Sequence, residues 1–350
     1  MKNLSWFNKL VFILNIVTTI LTILAYVLPF LTPKVFPLLS VLTLVLPMFL
    51  IINGLFFVYW IIQFKKQFVL SGLVLLIGIT FINKFYKFSG TNLPESDEDF
   101  TVMSYNVRLF NLFNWMNVKD IPEKIQDFIN DQNPDILCIQ EYSSTSKKID
   151  LRVYKHKYIL MLGKKIKTGQ AIFSKFPIVE SGNIDFPDSN NNAVFADIKK
   201  GKDTIRVYNM HLESLKISPD LSEINEGKNE MNQQKSERII NRIGKAFAAQ
   251  QLQAELIKTH ISSCNFPVLV CGDMNNSAYS FVYRIIRGNL NDSFEEAGEH
   301  FGATYNFKYY PARIDYIFAD KSMKIKSFDN FSDLKYSDHT PILSRFQIEN

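Results

Sequence analysis

The run Val268-Leu269-Val270-Cys271-Gly272-Asp273-Met274-Asn275 carries an apolar strand pattern into a glycine, then an Asp and an Asn two residues apart. If the strand conformation persists, its period of two places Asp273 and Asn275 on the same side. A carboxylate and an amide side by side at a strand tip can hold a nucleophilic water and a phosphoryl oxygen. Other apolar runs also end in polar residues. They offer Asn106 in Met103–Arg108, Glu141 after Ile136–Gln140, and His211 in Val207–Leu212. Asp315 lies in Ile314–Ile317, and Asp338 and His339 in Ser337–Pro341. Function concentrates at strand ends and loops on a rigid scaffold. Together these clusters make a metal-dependent phosphoesterase the leading reading.

Each residue also has an ordinary structural use. Asn106 suits a turn, and Glu141 a solvated position after a strand. Asp273 and Asn275 could form a turn and cap a helix beginning near Ser277. Asp315 is harder to place this way, because a buried carboxylate needs a partner. The structural account must hold for every cluster at once. His156, His260 and His300 match no motif and read as structural or surface residues.

The elements that would position these groups follow from periodicity and breakers. Strands are expected over Thr101–Arg108 and Asp135–Gln140, several across 154–212, then 266–272, near 313–319 and 323–328, and 342–348. Helices are expected over Val118–Gln132, closed by Asn133-Pro134, over 233–263, and near 278–287. Residues 214–232 read as a polar loop. Most strands neighbour one another in sequence, which argues for an α+β fold with antiparallel-rich sheets. On the 233–263 helix, Lys235, Arg238, Arg242 and Lys245 read as a solvated face. Tyr305, Tyr309 and Tyr310 suit either substrate stacking or a core.

Charge divides the chain unevenly. Residues 1–95 hold seven lysines, no arginine and one acid, so the overall +5 comes from this part and the rest is about neutral. Nucleic-acid binders usually carry a basic face, and net charge gives no hint of one. Charge-free stretches run between Lys9 and Lys34, Lys34 and Lys65, and Lys66 and Lys84. Their lengths predict three transmembrane helices, about 10–32, 37–63 and 67–86, in an anchor over residues 1–87. Trp6, Trp60, Tyr59 and Tyr86 would sit near the interfaces. The first apolar stretch is too long for a signal peptide and lacks a small-x-small cleavage site. Lys2, Lys9, Lys65 and Lys66 outnumber Lys34, Lys84 and Lys87 by one, which favours an extracytoplasmic catalytic domain in the cell membrane. A linker with Gly and Pro spans 88–98, and a globular domain 99–350. Cys138, Cys264 and Cys271 suggest neither a disulfide framework nor a zinc site.

The ordered set Asn, Gln-Glu, Asn-x-His-Leu, Gly-Asp-x-Asn, Arg-Ile-Asp-Tyr and Ser-Asp-His-x-Pro resembles the endonuclease/exonuclease/phosphatase family, over roughly 100–350. Gly169–Ile178 also looks like that family's strand-and-turn element. The resemblance implies the fold of deoxyribonuclease I, a four-layer α/β/β/α sandwich. It implies Glu141 as the main Mg²⁺ or Mn²⁺ ligand, with Asn106 close by and Asp338 as a further ligand. Magnesium needs few protein ligands because it keeps waters and takes substrate phosphate. Asp273 would orient or deprotonate water, and Asn275 would donate to a phosphoryl oxygen. His211 would act as general acid or phosphate donor. His339, its charge and tautomer set by Asp315, would contact phosphate or transfer a proton. His211 stands where the exonuclease III branch has tyrosine, and that branch's tryptophan-rich stretch before Arg-Ile-Asp is absent, which argues against DNA repair.

The expectation is a membrane-anchored phosphodiester hydrolase acting on a lipid headgroup, nucleic acid or small phosphodiester. The lipid bilayer is a further expected partner through the N-terminal helices, and no protein partner is expected. The alternatives are a membrane-tethered nuclease and a catalytically inactive interaction protein on the same fold.

Overall fold

Prolines decide how far the N-terminal helices run. The computed structural model describes residues 4–144, 149–163, 166–215, 233–307 and 311–349. Helix α1 (Trp6–Val27) begins at Ser5, whose Oγ accepts the Asn8 N–H at 3.2 Å. Pro29 turns its end into a short 3-10 segment, Leu28–Phe30. Pro33 and Pro37 follow, and the chain makes only another 3-10 turn, Leu39–Thr43, before α2 (Leu46–Ile62). A proline removes an N–H and clashes with the preceding turn, so a helix cannot continue through such a run. Helix α3 (Phe68–Ile82) follows a turn containing Lys65 and Lys66.

This corrects the expectation of three spanning helices. One helix, Trp6–Phe30, is long and apolar enough to cross a membrane. Helices α2 and α3 have 17 and 15 residues, against roughly 20 for a bilayer core. A charge-free stretch is not the same as a helix: the prolines shorten the second, and Asn83 closes the third. Trp60 is not interfacial but fully buried among the helices, and Tyr86 lies in a short strand.

The chain divides into two compact units. The first is Met1–Phe85 with Leu215–Gln251 and Ser277–Arg284; the second is Tyr86–Ser214, Leu252–Asn276 and Ile285–Asn350. In the second unit, β1 (Tyr86–Lys87) pairs with β11 (His300–Phe301). One six-stranded sheet combines β2 (Phe100–Asn106), β3 (Ile136–Ser143), β4 (His156–Leu162), β5 (Thr168–Ser174), β13 (Met323–Asn330) and β14 (Ile342–Ile348). Its order is β13-β14-β2-β3-β5-β4. The other combines β6 (Ile178–Asp185), β7 (Asn192–Lys200), β8 (Asp203–His211), β9 (Val268–Asp273), β10 (Asn291–Asp292) and β12 (Asp315–Ala319). Its order is β10-β12-β9-β8-β7-β6. The fold is therefore mixed α/β with two sheets.

The main core joins the sheets. Val102, Ile136, Cys138 and Ile172 from the first pack with Val194, Ile205, Val207, Leu269, Cys271 and Ile317 from the second. Full burial of such a side chain contributes roughly 1.5–3 kcal/mol. Helix α4 (Ile121–Gln132) puts Ile121, Ile125 and Ile129, at helical spacing, against Met103, Tyr105, Leu137 and Phe173 on the first sheet's other face. It starts three residues later than expected because Asp120 is left-handed. Helix α5 (Gln233–Ser262) brings His260 against Phe195 and Tyr208, with its Nδ1 2.9 Å from the Tyr208 hydroxyl. Short helices α6 (Phe281–Arg287) and α7 (Ser293–Ala297) complete the described elements. The segment expected as a linker is fastened at Thr91 to the Ala297 carbonyl, at Leu93 to the Lys326 carbonyl, and by Arg345 to Asn92 and Glu95. Most of the loop expected over 214–232 lies outside the described residues, as do Tyr309, Tyr310 and the side chain of Lys235.

Candidate active site

Each sheet contains one parallel pair, β2–β3 and β8–β9. Parallel neighbours need a crossover, which α4 and α5 supply. A crossover carries the chain back to where the first strand began, so the two strands of each pair finish at the same end, and the Asn106–Asp273 hydrogen bond brings the ends of the two pairs together. Asn106, His211 and Asp273 are the last residues of β2, β8 and β9. Asp315 opens β12 directly opposite Asp273. His339 lies three residues before β14, which runs antiparallel to β2.

Local backbone then aims the side chains. Strand β3 does not stop at Gln140 but continues through a bulge between Ile139 and Tyr142, where Glu141 has φ +51°. A bulge re-aims a side chain out of the sheet's alternation. Gly272 has φ +131°, and a Cβ there would lie 2.0 Å from the Met210 carbonyl oxygen. Only glycine fits where β9 meets β8. The strand does not persist to Asn275, which is left-handed at φ +50°. Its backbone N–H donates to Asp273 Oδ1 at 2.7 Å, and its side-chain amide to the Leu212 carbonyl at 3.0 Å. Asn275 thus forms the turn that braces Asp273.

Asp273 is the centre of the cluster and is 1% exposed. Its Oδ2 accepts from Asn106 Nδ2 at 3.1 Å and lies 3.6 Å from His211 Nε2 and 3.7 Å from His339 Nε2. Asn106 Nδ2 is also 3.3 Å from Glu141 Oε1, while its Oδ1 accepts the Arg108 backbone N–H. The two flanking carboxylates and that N–H fix the amide's orientation. His211 Nε2 is 3.9 Å from Glu141 Oε1. Both Asp315 oxygens face His339 Nδ1, at 3.2 and 3.0 Å, so Nε2 points inward to Asp273. Thr304 Oγ1 accepts the Ile314 and Asp315 N–H groups, and the Tyr305 ring lies 5.0 Å from that of His339.

Burial, offset in part by His339, pushes Asp273 up to about 6. Burial raises Glu141 as well, with Asp338 adding to it. Burial lowers His211 and keeps it neutral. Burial also opposes the His339 cation, but Asp315 and Asp273 outweigh it and hold its pKa well above the usual imidazole range.

Asp273, Asp315 and His339 have ligand atoms within 4.8 Å of one another and could hold a metal ion. With Nδ1 on Asp315, His339 would offer such an ion its Nε2. The oxygen donors of Glu141 and Asp338 fit a hard cation better. Glu141 is partly buried, its pKa raised by that burial and by Asp338, and it would be relieved by positive charge.

Sequence reasoning passed over three groups. Arg108, left-handed at φ +44°, places Nη1 3.2 Å from Asp338 and its guanidinium 4.7 Å from the Trp115 ring. Ser337 donates to the Asn106 carbonyl at 2.8 Å. Gln140 donates to Asn209 at 2.6 Å, and Asn209 donates to the Ile139 and Ala171 carbonyls, a buried crosspiece between the sheets. Asn209, Gln140 and Ser337 had a signal, their places in Asn-x-His-Leu, Gln-Glu and Ser-Asp-His-x-Pro; Arg108 depends on which segments become neighbours.

Solved structures similar to this chain share its fold at low identity. An endonuclease/exonuclease/phosphatase family protein from Bacteroides thetaiotaomicron is 18% identical, with TM-score 0.52, covering 72% of this chain and 98% of that one. The catalytic domain of human Nocturnin, solved with a sulfate anion, is 18% identical, with TM-score 0.52, 73% and 96% covered. D. rerio TDP2 in complex with single-strand DNA product is 17% identical, with TM-score 0.51, 72% and 100% covered. No curated protein matches the chain. Residues 8–85 match a domain of unknown function (DUF8431). Residues 103–339, which contain every group of the cluster, match the profile of the endonuclease/exonuclease/phosphatase family, and the chain belongs to that family.

Proposed function

We propose that this chain is a membrane-anchored, divalent-metal-dependent phosphodiester hydrolase. One observation carries the reading: a buried carboxylate, Asp273, faced by Asn106, His211 and His339, with Asp315 behind His339. Family membership agrees with it, since the family acts on phosphoester bonds.

Asp273 orients a water and takes its proton as the water oxygen bonds to phosphorus. A base is most effective with a pKa near the working pH, and burial has moved Asp273 that way. The P–O ester bond breaks, and the leaving oxygen takes a proton from an imidazole. His339 is suited to this, because Asp315 keeps it charged with Nε2 inward. Neutral His211 hydrogen-bonds a phosphoryl oxygen, and Asn106 holds Glu141 and Asp273 in register. Glu141, with Asp338 and Asn106 nearby, would hold Mg²⁺ or Mn²⁺, which when bound supplies positive charge for the phosphoryl oxygens. The Trp6–Phe30 helix would anchor the chain in the cell membrane.

A nuclease is the second reading, favoured by the fold's likeness to a protein solved with single-strand DNA product. It predicts activity that falls steeply with salt. The test uses the full chain in detergent with Mg²⁺ or Mn²⁺, with and without chelator. Substrates are bis-p-nitrophenyl phosphate, p-nitrophenyl phosphate, single- and double-stranded DNA and phospholipid vesicles. Metal-dependent turnover that is lost in Asp273→Ala supports hydrolysis and selects the substrate class. Undiminished turnover in that variant sinks the mechanism.

A further inference from the structure

The N-terminal helices are built inside out. Along α1, Asn8, Asn15, Thr19, Thr22 and Tyr26 are buried, at spacings of seven, four, three and four, which is one helix face. They meet polar partners on the other two helices. Asn15 donates to Ser71 Oγ at 2.7 Å and accepts from Trp60 Nε1 at 3.0 Å. Thr19 donates to Asn53 Oδ1 at 3.3 Å, and Asn53 donates to Thr22 Oγ1 at 2.9 Å. Near one end Asn8 bonds Gln63 and Tyr59; towards the other the Tyr26 hydroxyl reaches the Val74 carbonyl at 3.0 Å. Gly78 leaves room for that contact, since a Cβ there would lie 2.8 Å from the hydroxyl.

Most of the large apolar side chains point the other way, although Leu46, Trp60 and Val74 are buried. Ile20 on α1 is 53% exposed, Leu55 on α2 66% and Leu76 on α3 64%, and many neighbours on all three helices are similar. Apolar patches of this extent are unstable in water. Hydrocarbon reverses the preference: it accepts Ile and Leu outside and requires polar groups to satisfy one another inside.

We propose that α1, α2 and α3 lie in one lipid bilayer as a single bundle closed on this polar seam. Helix α1 spans, and the short α2–α3 hairpin is held against it by the seam rather than inserted as independent spans. The occupant of the apolar surface is lipid acyl chain, because the surface belongs to all three helices and no charge interrupts them between Lys9 and Lys34, Lys34 and Lys65, or Lys66 and Lys84. This rests on membrane anchoring by α1 and is independent of the chemistry.

The test reconstitutes the full chain in phosphatidylcholine vesicles with plain or brominated acyl chains. In a Trp6→Phe, Trp115→Phe background, native Trp60 reports the interior. Leu55→Trp, Leu76→Trp and Ile20→Trp, each added to that background, report the surface. The expected result is that bromine quenches the added emission at all three positions and leaves Trp60 largely unquenched. Asn15→Leu, which cuts the seam, should then expose Trp60 to quenching. If Ile20→Trp is quenched but Leu55→Trp and Leu76→Trp are not, α1 alone is in the bilayer and the bundle is wrong. A protein cover over α2 and α3 would give that same result. If Trp60 is quenched as strongly as the surface positions, or stays shielded in Asn15→Leu, the seam does not close the bundle. Absence of quenching at Ile20→Trp would remove membrane anchoring as well.

Discussion

The two units solve the same packing problem with opposite materials. Between the sheets lie Val102, Ile136, Ile205, Val207 and Leu269, fully buried. Between α1, α2 and α3, Asn15, Thr22, Asn53 and Ser71 are equally buried beside Trp60, Leu46 and Val74, with most leucines and isoleucines outside. The backbone rules are the same in both; the surroundings that each exterior fits are not. Buried polarity therefore has two meanings in this chain. In the first unit it is a self-satisfied seam, whereas in the second, part of it gathers at one edge, where it can do chemistry.

The largest expected effect separates those meanings most sharply. Asp273→Ala should lower kcat by on the order of 10²–10⁴-fold, the usual range for a positioned acid or base, while the melting temperature stays near that of the parent. Loss of folding instead would make Asp273 another structural polar group, like Asn53. Next is Asp315→Asn. His339 is protonated because Asp315 and Asp273 outweigh burial, so removing one carboxylate lowers its pKa. The alkaline limb of the pH–rate profile should move to lower pH, and kcat should fall by roughly 10²-fold. An unchanged alkaline limb would exclude His339 as the proton donor. On the acid side Asp273 must be ionised, so activity should rise with pH through about 6 or below, since a bound cation can only move that limb down.

Matched truncations test the packing contrast directly. Ile205→Ala, in the intersheet core, should cost about 2–5 kcal/mol. Leu55→Ala, on the helical unit's exterior, should cost no more than about 0.5 kcal/mol in micelles. Equal costs would mean that Leu55 is a core residue in solution. The smallest effect concerns Asp99, whose carboxyl is 7% exposed beside Lys326 at 2.8 Å. Burial tends to raise its pKa, but hydrogen bonds from Lys326 and Ser96 hold it below the ordinary value. A depressed folded pKa gives stability above the unfolded value of about 3.9 that is lost as pH falls through the folded one. Asp99→Asn should therefore destabilise at neutral pH, with the gap to the parent closing in acid.

The strand-end clusters were legible because each is an apolar run that stops on a polar residue. Asn106, Glu141, His211, Asp273, Asp315 and His339 do converge in the structure. Their orientations were not legible. Glu141 depends on a bulge, and Asn275 on a left-handed turn that ends the strand its spacing implied. Arg108 finds Asp338 only after distant segments meet. In the first unit the error had another source. Counting charge-free length ignores Pro29, Pro33 and Pro37, and averaging hydropathy hides a polar stripe that occupies one face of α1.

The edge that carries the polar cluster also has a mechanical consequence. Asn106 and Glu141 belong to one sheet, His211, Asp273 and Asp315 to the other, and beneath them the apolar core and the Gln140–Asn209 crosspiece hold the sheets in alignment. Anything bound to Glu141 and Asp273 together is a staple across that seam. A cation, a product or an unreactive analogue at a hundred times its Kd would stabilise the fold by about 2.7 kcal/mol. Melting temperature is then a readout of occupancy that needs no turnover, and a screen of phosphoesters by heat alone could find the substrate before any reaction is seen.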